Sequence, residues 1–397
     1  ELTGDKKWLP LAEKYTEALD SVQYLTWHHD VGFMIGSSYL NGYRFANKEE
    51  YKPVIIQTAK SLSTRFRPGA GVIQSWDADK GWQAERGWKC PVIIDNMMNL
   101  ELLFEATKLS GDSTFYNVAK KHADWMMDNG IGGIGVLMAA GEYQSVSLEE
   151  HMEYVNTMVP YIKKRGASVI VGCSRERVED ACALMNNAYK AGADAAMVLP
   201  SFYYNQSQEE IIDHYTYLND HSDLDIMVYN NPNVTSGITR ETMKELYKLP
   251  HVKIVKDASM VIDIMTDFIF EAEQAEEEKN VLCGCDYLLY QAYATGAIGW
   301  ISMTANILPK LSADFHNAMI VEKDYQKGLE IYKKLYPVVN MTERFPAPTQ
   351  AVKHILSEVI GFDEGICRRP RRDISDADKE LVVEWSQIRE LAKTNKM

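Results

Sequence analysis

Two short runs in the second half of the 397-residue chain set reactive side chains where a parallel α/β fold uses them. In "HVKIVKDAS", Lys256 closes an apolar run that reads as a buried β-strand. In a parallel barrel the C-terminal strand end faces the active site. An amine held there among apolar neighbours loses hydration, which disfavours its ammonium form and frees its lone pair to attack a ketone. The same position also suits a lysine whose ammonium reaches solvent along its apolar stem. One strand earlier, "IMVYNNP" sets Tyr229 at the equivalent end, ahead of a proline turn. A phenol beside an iminium can pass the protons that carbinolamine formation and dehydration require. A strand tyrosine also serves as core, so the meaning comes from the pair: a nucleophile and a proton relay on adjacent strand ends.

The first part offers two carboxylates. Asp30 lies in "TWHHDVGF" beside His29, and Asp95 interrupts the otherwise apolar "PVIIDNMMNLELL". A carboxyl group in apolar surroundings keeps its proton more readily, as general-acid work requires. Equally, Asp30 can start a helix and Asp95 can bond a neighbouring loop. The densest basic run, "RRPRR" (368–372), suits an acidic ligand or a neighbouring helix end. Cys283 and Cys285 are too close for zinc-knuckle spacing and have no partner pair, so neither a metal nor a cofactor is expected.

These groups must be carried by two kinds of element. Residues 2–19 and 109–126 share a capping Asp followed by helical apolar spacing, and 46–62 is a looser copy. Helix pairs without strand signals indicate an all-α toroid or stacked hairpins. From Gly132 onward, seven short apolar runs alternate with amphipathic helices, which is the βα pattern of a parallel barrel; a closed barrel needs eight. Three helices finish the chain, near 322–336, 349–360 and 376–394, and the acidic run 271–279 reads as a solvated helix end. The expected domains are 1–130, all-α, and 131–397, a barrel with a helical extension. "WMMDNGIGGIGVLMAAGE" (125–142) changes from helix to strand grammar where they meet.

The composition, 46% hydrophobic and 25% charged, supports a buried core, and the net charge of −14 argues against nucleic acid or an anionic membrane as partner. No apolar run approaches the ~20 residues of a membrane helix. Six scattered cysteines fit reduced thiols in a cytoplasmic protein, although a chain beginning at Glu1 leaves room for a removed signal peptide.

Residues 132–391 resemble the dihydrodipicolinate synthase / N-acetylneuraminate lyase family through "GEYQSVSLEEH", "PSFYYNQSQEE", "YNNP", "KIVKDAS", "GCD", "GAIGWISMTAN" and "RRPRRDISDADKE". The resemblance implies a (β/α)8 TIM-type barrel, here lacking its first strand and helix. It implies Schiff-base chemistry on pyruvate or a related 2-oxo acid, with Lys256 forming the imine and Tyr229 relaying protons. It also implies that Tyr204 completes a neighbouring subunit's site in a homo-oligomer, and that Ile301, Gly284 and Asp286 line the substrate pocket. Two departures matter. Ala139 and Ala140 stand where the family carries hydroxyls for the substrate carboxylate, leaving water or Ser145 to substitute. Val234 stands near the place of an arginine that dihydrodipicolinate synthases carry. A lyase, aldolase or dehydratase for a 2-oxo-3-deoxy sugar acid is therefore expected.

Residues 1–129 resemble part of glycoside hydrolase family 88, the unsaturated glucuronyl hydrolases, through "HHDVGFMIGSSYLNGYR", "SWDADKGW" and "VIIDNMMNLELLFEATKLSGD". That implies Asp95 as main acid/base, Asp30 and His29 assisting, and an unsaturated uronic acid saccharide as substrate. Only about a third of such a toroid is present, so hydrolase activity is not expected. Three readings stay open: a Schiff-base lyase with a helical passenger, a glycosidase with an appended barrel, and an inactive fusion of two truncated enzymes.

Overall fold

The computed structural model describes residues 8–27, 30–67, 72–74, 117–357, 367–368 and 370–395. The chain divides into two compact units, Glu1–Ala119 with Gly361–Asp363, and Lys120–Ile360 with Glu364–Met397.

In the first unit, helices Leu9–Glu17, Val31–Ile35, Asn41–Ala46 and Lys52–Ser63 gather around Val22, Val31, Ile35, Leu40, Ile55 and Leu62. An antiparallel ribbon, Phe66–Arg67 with Val72–Ile73, follows the last helix, where an all-α segment was expected. The buried Arg65 holds it, donating from Nε to the Gln74 carbonyl (2.7 Å) and from Nη1 to that of Thr26 (2.8 Å). Among the described residues this is a helical cluster with a ribbon, and no ring of hairpins is present.

The second unit is built on seven parallel strands in sequence order: β1 (Gly133–Val136), β2 (Ser168–Gly172), β3 (Ala195–Val198), β4 (Asp225–Asn230), β5 (Val252–Asp257), β6 (Asn280–Cys283) and β7 (Gly299–Trp300). All seven apolar runs read from the sequence form strands. Side chains alternate across a strand, so Met197, Met227, Tyr229, Ile254 and Leu282 share the inner face in one apolar cluster with Met138, Leu199 and Ile301. Lys256, two residues beyond Ile254, lies on that face too. Helices return between strands, and Ser147–Glu150 and Ser207–Glu210 open two of them with reciprocal capping boxes.

Helix Asn117–Asp128 precedes β1, so the first helix expected to be missing is present. The Asp124 carboxylate accepts from the Tyr161 hydroxyl (2.7 Å) and from Arg165, which also reaches Asp128 (2.6 Å). Its end is a Schellman turn: Ile131 N–H donates to the Met126 carbonyl (3.1 Å) and Gly130 N–H to that of Met127 (3.0 Å). Gly130 has φ +92°, a conformation that favours glycine. The stretch from Trp125 is thus an ordinary helix-to-strand connection. At the far end, helix Tyr325–Arg344 runs eight residues past the expected stop, through Pro337, and the final helix breaks at Gln387 into Asp376–Ser386 and Ile388–Asn395.

Gly130→Ala would force a left-handed backbone on an L-residue and set its Cβ 3.1 Å from Ala313 Cβ. We expect a loss of about 1–2 kcal/mol, read as a lower urea midpoint. An unchanged midpoint would mean that the turn contributes nothing.

Candidate active site

Lys256 and Tyr229 face each other as register partners at the C-terminal ends of β5 and β4. The Lys256 Nζ sits over the Tyr229 ring, 4.1 Å from its centroid, and both residues are buried. The Tyr229 hydroxyl accepts from Asn231 Nδ2 (3.1 Å), the second asparagine of "YNNP". The first, Asn230, donates to the Asp257 carboxylate (2.6 Å), which also takes the Ser259 hydroxyl (2.7 Å). Burial pushes the Asp257 carboxyl upward, and these donors work against it. The strand ends are fixed to each other before any ligand arrives.

Gly284 follows β6 beside the lysine. A Cβ there would lie 2.8 Å from both Lys256 Cε and the Asp257 carbonyl oxygen, so the lysine passes only because that atom is missing. Two residues on, Asp286 is buried and accepts from the Ser302 hydroxyl (2.8 Å) and Thr304 N–H (3.1 Å). Burial raises its pKa, while Thr304, Ser302 and the Lys256 charge work against the rise. The Asp286 N–H donates to Glu343 Oε1 (2.8 Å) on the long C-terminal helix. Burial, and then the Asp286 charge, push Glu343 up to about 7. Ile301 packs on the inner cluster, its N–H bonded to the Cys283 carbonyl (3.0 Å).

The opposite wall differs from expectation. Ala139 is exposed and carries no hydroxyl, and the Ser145 hydroxyl oxygen accepts from Arg371 (3.5 Å). The buried phenol here is Tyr143, whose pKa burial raises, with Arg175 and Tyr229 both close enough to influence it. The Arg175 guanidinium lies 5.6 Å from the Tyr143 ring centroid, and its Nη2 is buried without a hydrogen-bond partner. Glu142 anchors this turn. Burial works against its charge, but Lys353 (2.8 Å), Arg368 N–H (2.9 Å) and Arg371 (3.5 Å) hold its pKa below the usual range. The "RRPRR" run thus meets acidic groups of its own chain, Arg368 also pairing with Glu150 (2.9 Å).

The structure thus brings together Lys256, Tyr229, Gly284, Asp286 and Ile301. Tyr204 is 75% exposed, packed edge-on against Tyr203, and Glu176 holds this loop through the N–H groups of Phe202 and Tyr203. Val234 is exposed in the proline turn. Asp30 precedes helix Val31–Ile35 in the first unit without a side-chain cap, while His29 and Asp95 lie outside the described residues. Sequence reasoning missed Tyr143, Arg175 and Glu343. Tyr143 and Arg175 each follow a quoted strand within a few residues, which was the available signal. Among the described residues no His/Cys/Asp/Glu group could hold a metal, and no helix is long and apolar enough to cross a membrane.

A family model described as the dihydrodipicolinate synthetase family matches residues 112–388. The 4-hydroxy-tetrahydrodipicolinate synthase of Zymomonas mobilis is 33% identical over 276 residues, covering 67% of this chain and 89% of the relative. That of Novosphingobium aromaticivorans is 34% identical, covering 66% and 88%. A crystal structure of dihydrodipicolinate synthase superposes with a TM-score of 0.63 at 27% identity, covering 70% of this chain and 93% of the other. The chloride-inhibited enzyme of Acinetobacter baumannii, solved with pyruvate, gives 0.62 at 25%, covering 69% and 93%. The fold of the second unit is therefore TIM-like. The match begins upstream of helix Asn117–Asp128, so the segment takes in the turn at Gly130, and the expected boundary near residue 130 cuts through it. The glycoside hydrolase resemblance finds no support.

Two outcomes follow from this geometry. Gly284→Ala should stay folded by circular dichroism yet lose at least tenfold in the rate of Lys256 modification by a ketone reagent; an unchanged rate would show that the lysine has another route. Glu343→Gln should raise Tm at pH 8 and not at pH 4.5. The folded pKa of Glu343 lies above its unfolded value of 4.5, so its contribution is fully present below that value and lost as pH rises through about 7. An equal effect at both pH values would contradict the raised pKa.

Proposed function

The chain belongs to the dihydrodipicolinate synthetase family, and we propose that its segment from residue 112 onward is a class I, Schiff-base aldolase or lyase of pyruvate-type 2-oxo acids. The observation that carries the reading is the buried Lys256 amine, led past Gly284 and held 4.1 Å from the Tyr229 ring centroid.

The Lys256 Nζ lone pair attacks C2 of the oxo acid, and the ketone oxygen takes a proton to give a carbinolamine. Tyr229 delivers the proton with which that hydroxyl leaves as water, and the nitrogen lone pair forms the iminium. Loss of a C3 proton, or cleavage of the C3–C4 bond as the C4 hydroxyl gives up its proton and C4 departs as an aldehyde, leaves an enamine on Lys256. Reprotonation at C3 and hydrolysis return the amine. The substrate carboxylate belongs on the Tyr143 and Arg175 wall, where Nη2 has no partner, because Asp286 and Glu343 on the opposite wall would repel it. The Ala139, Ala140 and Val234 positions favour a partner other than that of dihydrodipicolinate synthesis, and a 2-oxo-3-deoxy sugar acid suits the acidic wall. The exposed Tyr204 suits a role in the site of a second copy of the chain.

Borohydride with pyruvate should reduce the iminium to a stable secondary amine, and peptide mass analysis should find it on Lys256. No adduct there, or an adduct elsewhere, sinks the reading. Tyr229→Phe should slow trapping about 100-fold or more, the lower bound for losing a proton-transfer group. Arg175→Gln should raise the pyruvate concentration for half-maximal trapping about tenfold; an unchanged value would move the carboxylate off that wall.

A further inference from the structure

We propose that Glu343 is a specificity-determining residue of the Lys256 site, bonding a hydroxyl on the substrate chain beyond the carbons that pyruvate supplies. This rests on the Schiff-base reading. Glu343 comes from the helix Tyr325–Arg344, far from the strand ends in sequence, and meets the site at the N–H of Asp286. Its other carboxyl oxygen has no hydrogen-bond partner among the described residues, and the side chain is only half-buried, leaving that oxygen within reach of a ligand. Asp286 takes both Ser302 and Thr304 on Oδ2 and is almost wholly buried, so Glu343 is the more accessible of the two acids.

Pyruvate alone gives no reason for this arrangement. Its methyl group forms no hydrogen bond, and its carboxylate would be repelled by two neighbouring acids. Holding a second carboxyl group beside a buried one is costly unless a partner offsets it. A hydroxyl offsets it, since it can donate to a carboxylate or accept from the protonated acid. Glu343 is near the pH at which both forms exist. The chain at Gly284, two residues before Asp286, runs against the Lys256 side chain, and the Lys256 charge acts on both acids. Cys285 and Tyr287 are the other titratable groups that sense Glu343, and neither carries a positive charge to neutralise it. The ligand class is therefore a 2-oxo acid with a hydroxylated tail.

The test compares borohydride trapping of 2-oxo-3-deoxygluconate with that of pyruvate on the full chain. Glu343→Met keeps the volume and removes the polar atoms; Glu343→Gln keeps an acceptor for the Asp286 N–H. The ratio of sugar-acid to pyruvate trapping should fall at least tenfold in E343M and return to within threefold of the parent in E343Q. A ratio that does not move in E343M overturns the assignment, as does a parent chain that traps pyruvate but not the sugar acid. Failure of the parent to trap either acid would instead overturn the Schiff-base reading.

Discussion

The Lys256 side chain reaches the inner end of the sheet through a gap that exists because residue 284 has no Cβ. On one side of that gap is the Asp257 carbonyl, which accepts the Gly284 N–H at 2.7 Å. On the other is the Tyr229 ring, supporting the amine from below. Three consecutive strands must keep register within a fraction of an ångström for this to hold. The Asn230–Asp257–Ser259 bonds and the apolar layer of Met197, Met227 and Ile254 supply that rigidity.

Around the amine the site is electrically lopsided. Asp286 and Glu343 crowd the β6–β7 side, whereas a guanidinium nitrogen without a partner stands on the β1–β2 side. In the proposed reaction the 2-oxo acid carries its charge at one end only, and such a field would orient it before chemistry begins. The turn that carries Tyr143 is held by Glu142 against Lys353, Arg368 and Arg371. The basic run near the C-terminus thus serves the site indirectly, by fixing the wall on which Tyr143 lies.

Much of this was legible in the sequence because period-two alternation and strand-end position are local properties. All seven strands, and the placement of Lys256 and Tyr229 at adjacent strand ends, follow from them. Helix Asn117–Asp128 was misplaced because an amphipathic helix reads alike in an α-toroid and in a βα unit; which face it buries depends on residues such as Tyr161 and Arg165, some forty positions away. Glu343 was hidden because the expected helix stops near Tyr336, whereas the helix runs on through Pro337 to Arg344 and delivers it. The contact of Ser145 with Arg371, more than two hundred residues later, is not legible from spacing either. Tertiary partners decided each of these.

The most direct measurement is a crystal structure of the chain soaked with pyruvate. Continuous density from Lys256 Nζ to C2, with the carboxylate toward Arg175 and Tyr143 and the methyl group toward Asp286 and Glu343, is the expected result. Pyruvate unattached to Lys256, or attached with its carboxylate on the acidic wall, would contradict the account.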